Sequence, residues 1–428
     1  MDDTDTLDVL AGLQRTGIRP GLSRIRRLVA RLGHPERAFP AVLITGTNGK
    51  GSTAVFLDAI LRAGGYRTGC FTSPHLVDVR ERIVLDGRPI DAATFAALAI
   101  EVRDAMAAGT RPVRATYFEA LTAIGFLAFA RAGVDLAVVE VGMGGRYDST
   151  NVCDPLVSVL TNVSLDHTAF LGPTVDAIAS EKVGVARPGR VCVTAVADGI
   201  FERVVGPALD AIAAPARRLG HDVRVVRRED GRIDWTGHGG RLEGIPVGLP
   251  GSFQVENAAL ALAAAETLVE TGWVLDAAAM RAGIAGATWP GRFQKVHERP
   301  AVILDGCHNP GAAIRLAETL RAEPPTRPLV MVHGSRADKD VGTVLQTLVP
   351  CVDAVVETGI PGLAPPDVLA PLAATGGDGK VPVEVVPDLR QAVARAMALA
   401  GPGGTVLITG SLYLVGAALA SEPWAQEV

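Results

Sequence analysis

The sequence predicts an α/β protein of two domains, each built on a mostly parallel sheet covered by helices. Short apolar runs alternate with amphipathic segments of helix length along almost the whole chain, which is typical of strand–helix units. The charged, proline-containing stretch WPGRFQKVHERP at 289–300 interrupts this alternation and predicts a domain boundary. The alternation then restarts over about 130 residues, which is enough for a second, smaller doubly wound domain.

The elements follow from the positions of the apolar runs. Strands of the first domain are expected at 42–45, 68–71, 136–141, 157–160 and 191–194. Its helices are expected at 53–63, 118–131 and 252–270, and its polar, glycine-rich stretch 227–250 predicts a hairpin. Strands of the second domain are expected at 302–304, 329–332, 352–356, 383–386 and 405–409. We therefore divide the chain into residues 1–293 and 294–428.

Composition and charge narrow the class of protein. The 428 residues carry a net charge of −5, which gives no general attraction to nucleic acid or anionic lipid. No apolar run reaches the length needed to cross a bilayer, and the acidic start MDDTDTLDVL lacks the pattern of a secretory signal. The five cysteines are scattered without a C-x-x-C pair, which predicts reduced thiols and no zinc site. We expect a cytoplasmic monomer that binds neither nucleic acid nor membrane.

The stretch AVLITGTNGKGST at 41–53 combines a strand, a glycine-rich turn and the start of a helix. Glycines at such a turn let backbone N–H groups converge on an anion, and the helix N-terminus adds partial positive charge. Lys50 is placed to neutralise phosphate, and the hydroxyl of Ser52 or Thr53 to ligate Mg²⁺. Because the spacing differs from G-x-x-x-x-G-K-[ST], a structural turn with an exposed lysine is the alternative.

Two charged residues interrupt apolar patterns. Glu140 breaks the run LAVVEV just before several glycines, at a strand end where α/β sheets bind ligands; an edge-strand glutamate turned to solvent is the alternative. Lys182 shares an inward helical stripe with Leu171, Val175, Ile178 and Val185. Burial there would lower the lysine pKa and leave a neutral, nucleophilic amine. A lysine that covers the core with its stem and reaches solvent is the alternative.

Three further features can be interpreted from the residues alone. The pattern Thr116-x-x-Glu119 predicts a capping box for the following helix. Asp305 ends the strand AVILD, where it is placed to accept a hydrogen bond from a ribose hydroxyl. The arginine-rich stretch 15–37 predicts a solvated helix face, because the chain is acidic and no aromatic residues are interleaved.

The loop and its surroundings resemble a known family. LGHPERAFPAVLITGTNGKGST at 32–53 is similar to the N-terminal signature of folylpolyglutamate synthases and dihydrofolate synthases, a branch of the Mur ligase superfamily. The glycine between Lys50 and Ser52 is typical of this folate branch. Further blocks follow in family order between about residues 19 and 416: FTSPHLVDVRERI, VEVGMGGRYDSTN, LDHTAFLG, EKVGVARPG, NAALAL, GRF and DGCHNP. The resemblance implies a P-loop-type nucleotide-binding domain followed by a Rossmann-like domain.

The resemblance also implies the residues around ATP and metal. The expected ATP contacts are Thr47, Asn48, Gly49, Lys50, Gly51, Ser52, Thr53, Asn257, Arg292 and Asp305. The expected ligands of Mg²⁺, of which we expect two ions, are Ser52, Glu140 and His167. The expected catalytic residues are Lys50, Lys182 as a carbamate formed with CO₂, and His308.

Folate and glutamate contacts are implied by the same blocks. The expected residues are Ser73, His75, Arg80, Arg82, Phe118, Asp148 and Ser411. For Phe118 the capping-box helix alone explains an aromatic residue, and for Arg80 and Arg82 exposed helical arginines are the common case.

The implied reaction is the ATP-dependent addition of L-glutamate to folates, which yields tetrahydrofolate polyglutamates, and to dihydropteroate, which yields dihydrofolate. It proceeds through an acyl phosphate and releases ADP and phosphate. A cell-wall ligase is disfavoured by GTNGKGS, by SPHL and by the short segment before the loop. A nucleotide switch would form no glutamate-dependent ADP. The motifs leave open which folate step is catalysed, the one-carbon form, and the number and linkage of glutamates.

Overall fold

Two mostly parallel sheets organise the chain, one after the other. The computed structural model describes residue 17, residues 19–375 and residues 381–424. The acidic start of the chain, Arg15 of the arginine-rich stretch and the outer ends of both expected domains lie outside these residues. No helix in the described ranges is long and apolar enough to cross a membrane.

The strands are numbered in chain order. Those of the first sheet are β1 (Ala41–Thr45), β2 (Thr68–Phe71), β3 (Ile83–Leu85), β4 (Arg88–Pro89), β5 (Leu136–Glu140), β6 (Pro155–Leu160), β7 (Cys192–Thr194) and β8 (Ala216–Arg218). A small antiparallel sheet contains β9 (Arg224–Arg227), β10 (Ile233–Thr236) and β11 (Arg241–Ile245). The last sheet contains β12 (Gln294–Glu298), β13 (Ala301–Leu304), β14 (Leu329–His333), β15 (Ala354–Glu357), β16 (Val383–Val385) and β17 (Thr405–Thr409).

Helices of eight residues or more are numbered in the same way. In the first part of the chain they are α1 (Ser23–Arg31), α2 (Lys50–Ala63), α3 (Ala92–Ala107), α4 (Tyr117–Ala132), α5 (Val175–Lys182), α6 (Gln254–Glu270) and α7 (Ala277–Gly286). In the second part they are α8 (Pro310–Ala322), α9 (Val341–Leu348), α10 (Pro366–Ala374), α11 (Leu389–Ala400) and α12 (Leu412–Ser421).

The first sheet has the order β4-β3-β2-β5-β1-β6-β7-β8. Its strands from β2 to β8 in this order are parallel, and β3 and β4 add an antiparallel hairpin at one edge. The last sheet has the order β12-β13-β17-β14-β15-β16, in which only β12 is antiparallel. In both sheets the central strands are buried along their whole length, as expected of parallel sheets with two covered faces.

Apolar layers cover both faces of the first sheet. On one face α2 and α6 pack against the sheet around Phe56, Leu57 and Ile60, and α7 packs on the outer side of α2. On the other face α1, α3 and α4 enclose a second core that includes Phe126 and Phe129. The last sheet is likewise enclosed on both faces. This double covering leaves the strand ends as the place where polar side chains meet.

The α/β class with a mostly parallel first sheet and a second α/β sheet domain is confirmed. The hairpin expected at 227–250 is present as β10 and β11, and β9 extends it to three strands. The edge hairpin β3–β4, β8 and β12 were not expected, since each is short or polar. Helix α2 begins at Lys50, three residues before the expected start, directly after Gly49 at its N-cap. We propose that the domains divide at 293/294, immediately before β12.

Close packing of α7 against α2 yields a prediction about stability. A methyl group on Gly283 would lie 2.4 Å from both the backbone N and Cα of Ile60, so Gly283→Ala must push the helices apart. We expect a loss of about 1–3 kcal/mol, measured as a lower thermal midpoint.

Gly286 in the same helix provides the matched control. Nothing lies within 4 Å of an added Cβ there, so Gly286→Ala should leave the thermal midpoint unchanged or raise it slightly. Equal midpoints for the two variants would contradict the described packing.

Candidate active site

A cavity of about 1250 Å³ lies where the carboxyl ends of the first sheet face the second domain. Its first-domain wall includes the loop after β1, Glu140 at the end of β5, and Lys182 at the end of α5. Arg292 lines it from the hinge between the domains, and its second-domain wall includes His308 and the turn before α12. Ligands of open α/β sheets bind at such strand ends, so this cavity is the candidate active site.

The glycine loop between β1 and α2 is shaped by contacts that exclude larger residues. Gly46 and Gly49 have φ values of 148° and 83°, which favour glycine. A Cβ on Gly46 would lie 1.8 Å from Thr161 Oγ1, and one on Gly49 would lie 2.2 Å from Asn257 Oδ1. Gly49 caps α2 without a side chain, so the first N–H groups of this helix face the cavity beside Lys50. The loop therefore has the form of an anion-binding turn.

Two lysines flank this loop, and each has a backbone partner. Lys50 Nζ donates a hydrogen bond to the Thr47 carbonyl oxygen at 3.0 Å. Lys182 Nζ donates to the Gly46 carbonyl oxygen at 2.6 Å and is buried. Burial, reinforced by the nearby charge of Lys50, lowers the pKa of Lys182 from 10.5 to about 7. The expected inward position of Lys182 is confirmed, and near neutral pH a large share of its amine is uncharged.

Glu140 is the buried carboxylate of the first-domain wall. Its Oε2 accepts a hydrogen bond from the Ser73 backbone N–H at 2.9 Å, and it forms no ion pair with any described residue. Burial raises the pKa of Glu140, whereas Lys50 and Arg292 act in the opposite direction. The alternative of a solvent-facing glutamate is wrong, because the side chain points beneath the loop towards Gly51.

Arg292 brings positive charge from the hinge between the domains. Its side chain lines the cavity and makes no hydrogen bond or ion pair with the described part of the chain. The neighbouring Asp305 accepts backbone N–H bonds from Phe293 at 3.0 Å and Cys307 at 2.9 Å, so it braces the hinge. Burial raises the pKa of Asp305, and Arg292 acts against this rise.

The Asp166 carboxylate contacts residues of both domains. Its carboxylate accepts hydrogen bonds from Lys339 Nζ at 2.6 Å and from Asn309 Nδ2 at 3.0 Å. His308 Nε2 lies 3.7 Å from it and His167 Nε2 lies 3.9 Å from it. Burial alone would raise the pKa of Asp166, but His308, His167 and Lys339 hold it well below its usual range. The group is therefore a buried anion at every physiological pH.

His167, the expected metal ligand, begins a short turn at the cavity rim with φ of 50°. Burial lowers its pKa from 6.5 to about 4, although Asp166 acts in the opposite direction. A neutral imidazole at pH 7 is the form that binds metal ions. In the described ranges, however, no three His, Cys, Asp or Glu side chains converge closely enough to hold a metal by themselves.

The loop also contacts the second domain directly. Asn48 Nδ2 donates to Asn309 Oδ1 at 3.1 Å, and Asn309 Nδ2 donates back to Asn48 Oδ1 at 3.0 Å. Asn309 Oδ1 also accepts the Ala312 backbone N–H at the start of α8. Asn48, expected as an ATP contact, thus links the nucleotide loop to the second domain.

The segment after β2 supplies a buried cation. Arg82 is buried, its Nε donates to His75 Nδ1 at 2.9 Å, and its guanidinium lies 5.8 Å from the centre of the Tyr117 ring. Burial lowers the pKa of Arg82. The alternative of an exposed arginine is therefore wrong for Arg82. Arg80, by contrast, pairs with Asp78 at 2.6 Å outside the cavity lining.

Other expected substrate contacts have structural partners. Phe118 lies against Gly142, where an added Cβ would be 2.4 Å from the ring, and the capping box of Thr116 and Glu119 is confirmed. Asp148 accepts hydrogen bonds from the backbone N–H groups of Met143 and Thr150, and burial raises its pKa. Ser411 caps α12 through the Tyr413 N–H, and Asn257 donates to Gln254. The expected contacts Phe118, Asp148, Ser411, Asn257 and Ser73 all line the cavity.

Most of the expected site residues line this one cavity. The exceptions are Thr53, whose buried hydroxyl has no partner among described residues, and Arg80. Sequence reasoning missed Asp166, Asn309 and Lys339. Asp166 and Asn309 lie inside the quoted blocks LDHTAFLG and DGCHNP, beside residues that were singled out, but Lys339 in the polar stretch ADKD carried no signal.

Two family models match the chain. The Mur ligase middle domain matches residues 44–265, and the Mur ligase glutamate ligase domain matches residues 291–412. Together they cover the glycine loop, the buried carboxylate and the second-domain wall of the cavity. The fold and site therefore define a Mur-type ligase.

Sequence similarity to named proteins identifies the family within the Mur-type ligases. The dihydrofolate synthase/folylpolyglutamate synthase of Mycobacterium tuberculosis is 39% identical over 440 residues, which cover 94% of this chain and 90% of the relative. A probable bifunctional folylpolyglutamate synthase/dihydropteroate synthase of Haloferax volcanii is 36% identical over 447 residues; the match covers all of this chain but 51% of that longer protein. The chain belongs to the dihydrofolate synthase/folylpolyglutamate synthase family.

Solved structures of relatives share the whole fold. A Mycobacterium tuberculosis folylpolyglutamate synthase complexed with ADP is 37% identical, with a TM-score of 0.90 and full coverage of both chains. An Escherichia coli relative in complex with DHPP and ADP is 32% identical, with a TM-score of 0.90 over 100% of this chain and 99% of that one. A Yersinia pestis relative complexed with AMPPNP and Mn ion is 30% identical, with a TM-score of 0.86 over 99% and 98%.

The His75–Arg82 contact yields a prediction about pH. Burial, together with Arg82, lowers the pKa of His75 from 6.5 to about 4. Between pH 6.5 and 4 the unfolded chain therefore binds this proton more strongly, so stability falls as the pH is lowered through that window. His75→Gln keeps an acceptor for Arg82 but does not titrate. Its thermal midpoint should fall less steeply than that of the wild type over this range; equal slopes would contradict the buried, neutral imidazole.

Proposed function

We propose that the protein is an ATP-dependent ligase that adds L-glutamate to the carboxylate of folates. It extends reduced folates to tetrahydrofolate polyglutamates and adds the first glutamate to dihydropteroate, which yields dihydrofolate. The strongest support for this proposal is that phosphate-binding, acidic and basic residues converge on one cavity. The glycine loop with Lys50, the buried Glu140, the hinge residue Arg292 and the second-domain residue His308 all face one cavity. Family membership supports the same class of reaction.

The chemistry requires two anions to meet. The folate carboxylate attacks the γ-phosphorus of ATP, and the bond to the bridging oxygen breaks to give an acyl phosphate and ADP. The neutral amine of glutamate then attacks the acyl carbon, phosphate leaves, and the amine loses a proton to form the amide. Two like charges ~4 Å apart repel by ~4 kcal/mol at an effective dielectric constant of ~20, so the site must offset this repulsion.

Positive groups on both sides of the cavity serve that purpose. Lys50 and the first N–H groups of α2 bind the phosphates from the first domain. Arg292, which has no anionic partner among the described residues, reaches the same phosphates from the hinge. Asn257 and Asp305 complete the nucleotide pocket, with Thr47, Asn48, Gly49, Gly51, Ser52 and Thr53 forming the loop.

The donor set fits Mg²⁺. Glu140 offers a buried carboxylate with one backbone partner, and Ser52 and the neutral His167 also line the cavity. Mg²⁺ prefers oxygen ligands and takes part of its shell from phosphates, so a protein cage of three acidic or imidazole groups is not needed. Bound there, two ions would neutralise charge on the phosphates.

The other residues that line the cavity are suited to contact folate and glutamate. The Phe118 ring forms an apolar wall for the pterin, near Ser73 and Asp148. The buried Arg82, held by His75, is suited to a carboxylate of the folate tail. Ser411 and His308 face the cavity from the second domain and are suited to the incoming glutamate. Arg80 lies outside this wall and would act only if its pairing with Asp78 changed.

A carbamate on Lys182 completes the proposal. The lone pair of the neutral amine attacks the carbon of CO₂, an N–C bond forms, and one proton passes from nitrogen to solvent. The buried position and the lowered pKa of about 7 support this step, because an ammonium ion cannot react. The anion would replace a positive charge beside Lys50 by a negative one.

We further propose that the enzyme works as a cytoplasmic monomer on small molecules. Its five cysteines are free and buried, as suits a reducing compartment. The proposed partners are folate or dihydropteroate, L-glutamate and ATP.

A direct assay tests the function. Purified protein is incubated with MgATP and glutamate, and with dihydropteroate or tetrahydrofolate in parallel, and the products are resolved by mass. We expect a mass increase of one glutamate on either acceptor, with ADP formed over many turnovers only when glutamate is present. ADP formation without any glutamylated product would contradict the proposal.

Lys50→Ala should lower kcat/KM roughly 100- to 1000-fold without changing the thermal midpoint, because it removes the loop cation that stabilises transferred phosphate. Lys295→Ala is the matched control, since Lys295 is an exposed lysine of β12. Turnover of Lys50→Ala close to that of the control would remove the loop from the nucleotide site.

Glu140→Gln should raise the Mg²⁺ concentration for half-maximal rate roughly tenfold or more, because it removes an anionic ligand but keeps its shape. Folate binding, measured by fluorescence quenching, should change little. An unchanged Mg²⁺ dependence would exclude Glu140 from the metal site.

Lys182→Ala should lose most activity, and Lys182→Glu should recover part of it by restoring an anion. A second readout is independent of turnover: wild-type protein supplied with ¹³C-labelled bicarbonate should show a carbamate carbon signal that Lys182→Ala lacks. Identical spectra for the two proteins would leave Lys182 as a structural lysine.

A further inference from the structure

A polar network joins the domains beside the cavity, and the proposed chemistry gives no role to three of its four members. This network consists of Asn48, Asp166, Asn309 and Lys339, and is termed the interdomain clasp. Asn48 and Asp166 belong to the first domain, whereas Asn309 and Lys339 belong to the second. The clasp therefore exists only when the domains are together.

Each member of the clasp is tied to a functional element. Asn48 lies in the glycine loop, and its amide pairs reciprocally with that of Asn309. Asn309 caps α8 and follows His308 directly. Lys339 lies in the segment before α9 that forms part of the cavity wall. The clasp thus connects the phosphate-binding turn with the residues that approach from the other domain.

Asp166 is the centre of the clasp. Its two carboxylate oxygens have different second-domain partners, Lys339 on Oδ1 and Asn309 on Oδ2. The Asp166 and Lys339 side chains are only 8% and 12% exposed. A nearly buried ion pair with short, direct contacts is far more specific in geometry than an exposed one.

Asp166 also orients a histidine that faces the cavity. His308 Nδ1 donates to the Gly306 carbonyl oxygen at 2.8 Å, which fixes one side of the ring. Its other nitrogen, Nε2, lies 3.7 Å from Asp166 Oδ2. This separation is too long for a hydrogen bond, so Asp166 acts on the second face of the ring through its charge, and Asp166 is itself held by the second domain.

We propose that Asp166 is a positioning residue, which locks the second domain onto the nucleotide loop through Lys339 and Asn309 and holds His308 towards the substrates. This inference rests on the proposed ligase function and adds to it the element that keeps the closed form together. Closure assembles groups from both domains around the reacting atoms, so loss of the clasp lowers the fraction of enzyme competent for transfer.

Single and double variants test the clasp. Asp166→Asn and Lys339→Met should each lower kcat at least tenfold, while the Kd for MgATP in the absence of folate changes less than threefold. The double variant should be no worse than the poorer single variant, because both remove one interaction. Lys339→Arg keeps the charge and should stay within threefold of the wild-type kcat.

A second interdomain ion pair provides the matched control. Arg227 pairs with Glu323 across the domains, away from the cavity lining and at a more exposed position. Glu323→Gln should leave kcat within twofold of the wild type. A tenfold loss in this control, a kcat of Asp166→Asn within twofold of wild type, or independent, multiplying losses in the double variant would each overturn the proposal.

If Asp166→Asn does not fold, the two Lys339 variants test the clasp instead. A lower kcat for Lys339→Met with a near-wild-type kcat for Lys339→Arg supports the clasp, and an unchanged kcat for Lys339→Met overturns it. Small-angle X-ray scattering separates this inference from the proposed function. Addition of AMPPNP and Mg²⁺ should shrink the radius of gyration of the wild type but not of Lys339→Met, even if the wild type ligated no glutamate. Equal contraction of both proteins would refute the clasp alone.

Discussion

Charged groups without counter-ions, two of them buried, are the constraint on which this site depends. Lys50 and Lys182 are each bonded to a loop carbonyl, Glu140 is bonded to a backbone N–H, and Arg292 has no partner in the described part of the chain. Burying Glu140 and Lys182 without counter-ions costs free energy, and proteins tolerate this cost chiefly at functional sites. Asp166 is the contrast, since it is fully engaged by partners from both domains. Charges without a counter-ion and the charge that joins the domains thus occupy different parts of one cavity.

The fold makes this separation possible. Parallel strands bring their carboxyl ends to one edge, so the loop after β1 and the end of β5 become neighbours in space. The glycine turn approaches β6 so closely that only a residue without Cβ fits at Gly46. The second sheet then supplies the opposite wall through the hinge after α7 and the turns after β13 and β17. A ligase that must bring two anions together gains cations from both walls when the domains close.

Local patterns predicted a large part of this site, and long-range contacts account for the rest. Glu140 and Lys182 each stood out because a charge interrupted an apolar run, and both are buried as that pattern indicates. Arg82 shows no such pattern, since its burial depends on His75 and on the packing of Tyr117 above it. Asp166 and Lys339 lie 173 positions apart, and only the arrangement of the domains brings them together. The edge hairpin β3–β4 was likewise missed, because strands of three and two residues carry little periodic signal.

The central claim is that the glycine loop and Glu140 form one nucleotide–metal site in which ligands supply the missing counter-charges. Anomalous diffraction from crystals grown with Mn²⁺ and a non-hydrolysable ATP analogue tests it most directly. The account predicts an anomalous peak in contact with the Glu140 carboxylate and with phosphate oxygens held by the loop, and Lys50 Nζ moved from the Thr47 carbonyl to a phosphate. Phosphates bound away from the loop, or a metal peak that contacts neither Glu140 nor those phosphates, would contradict it.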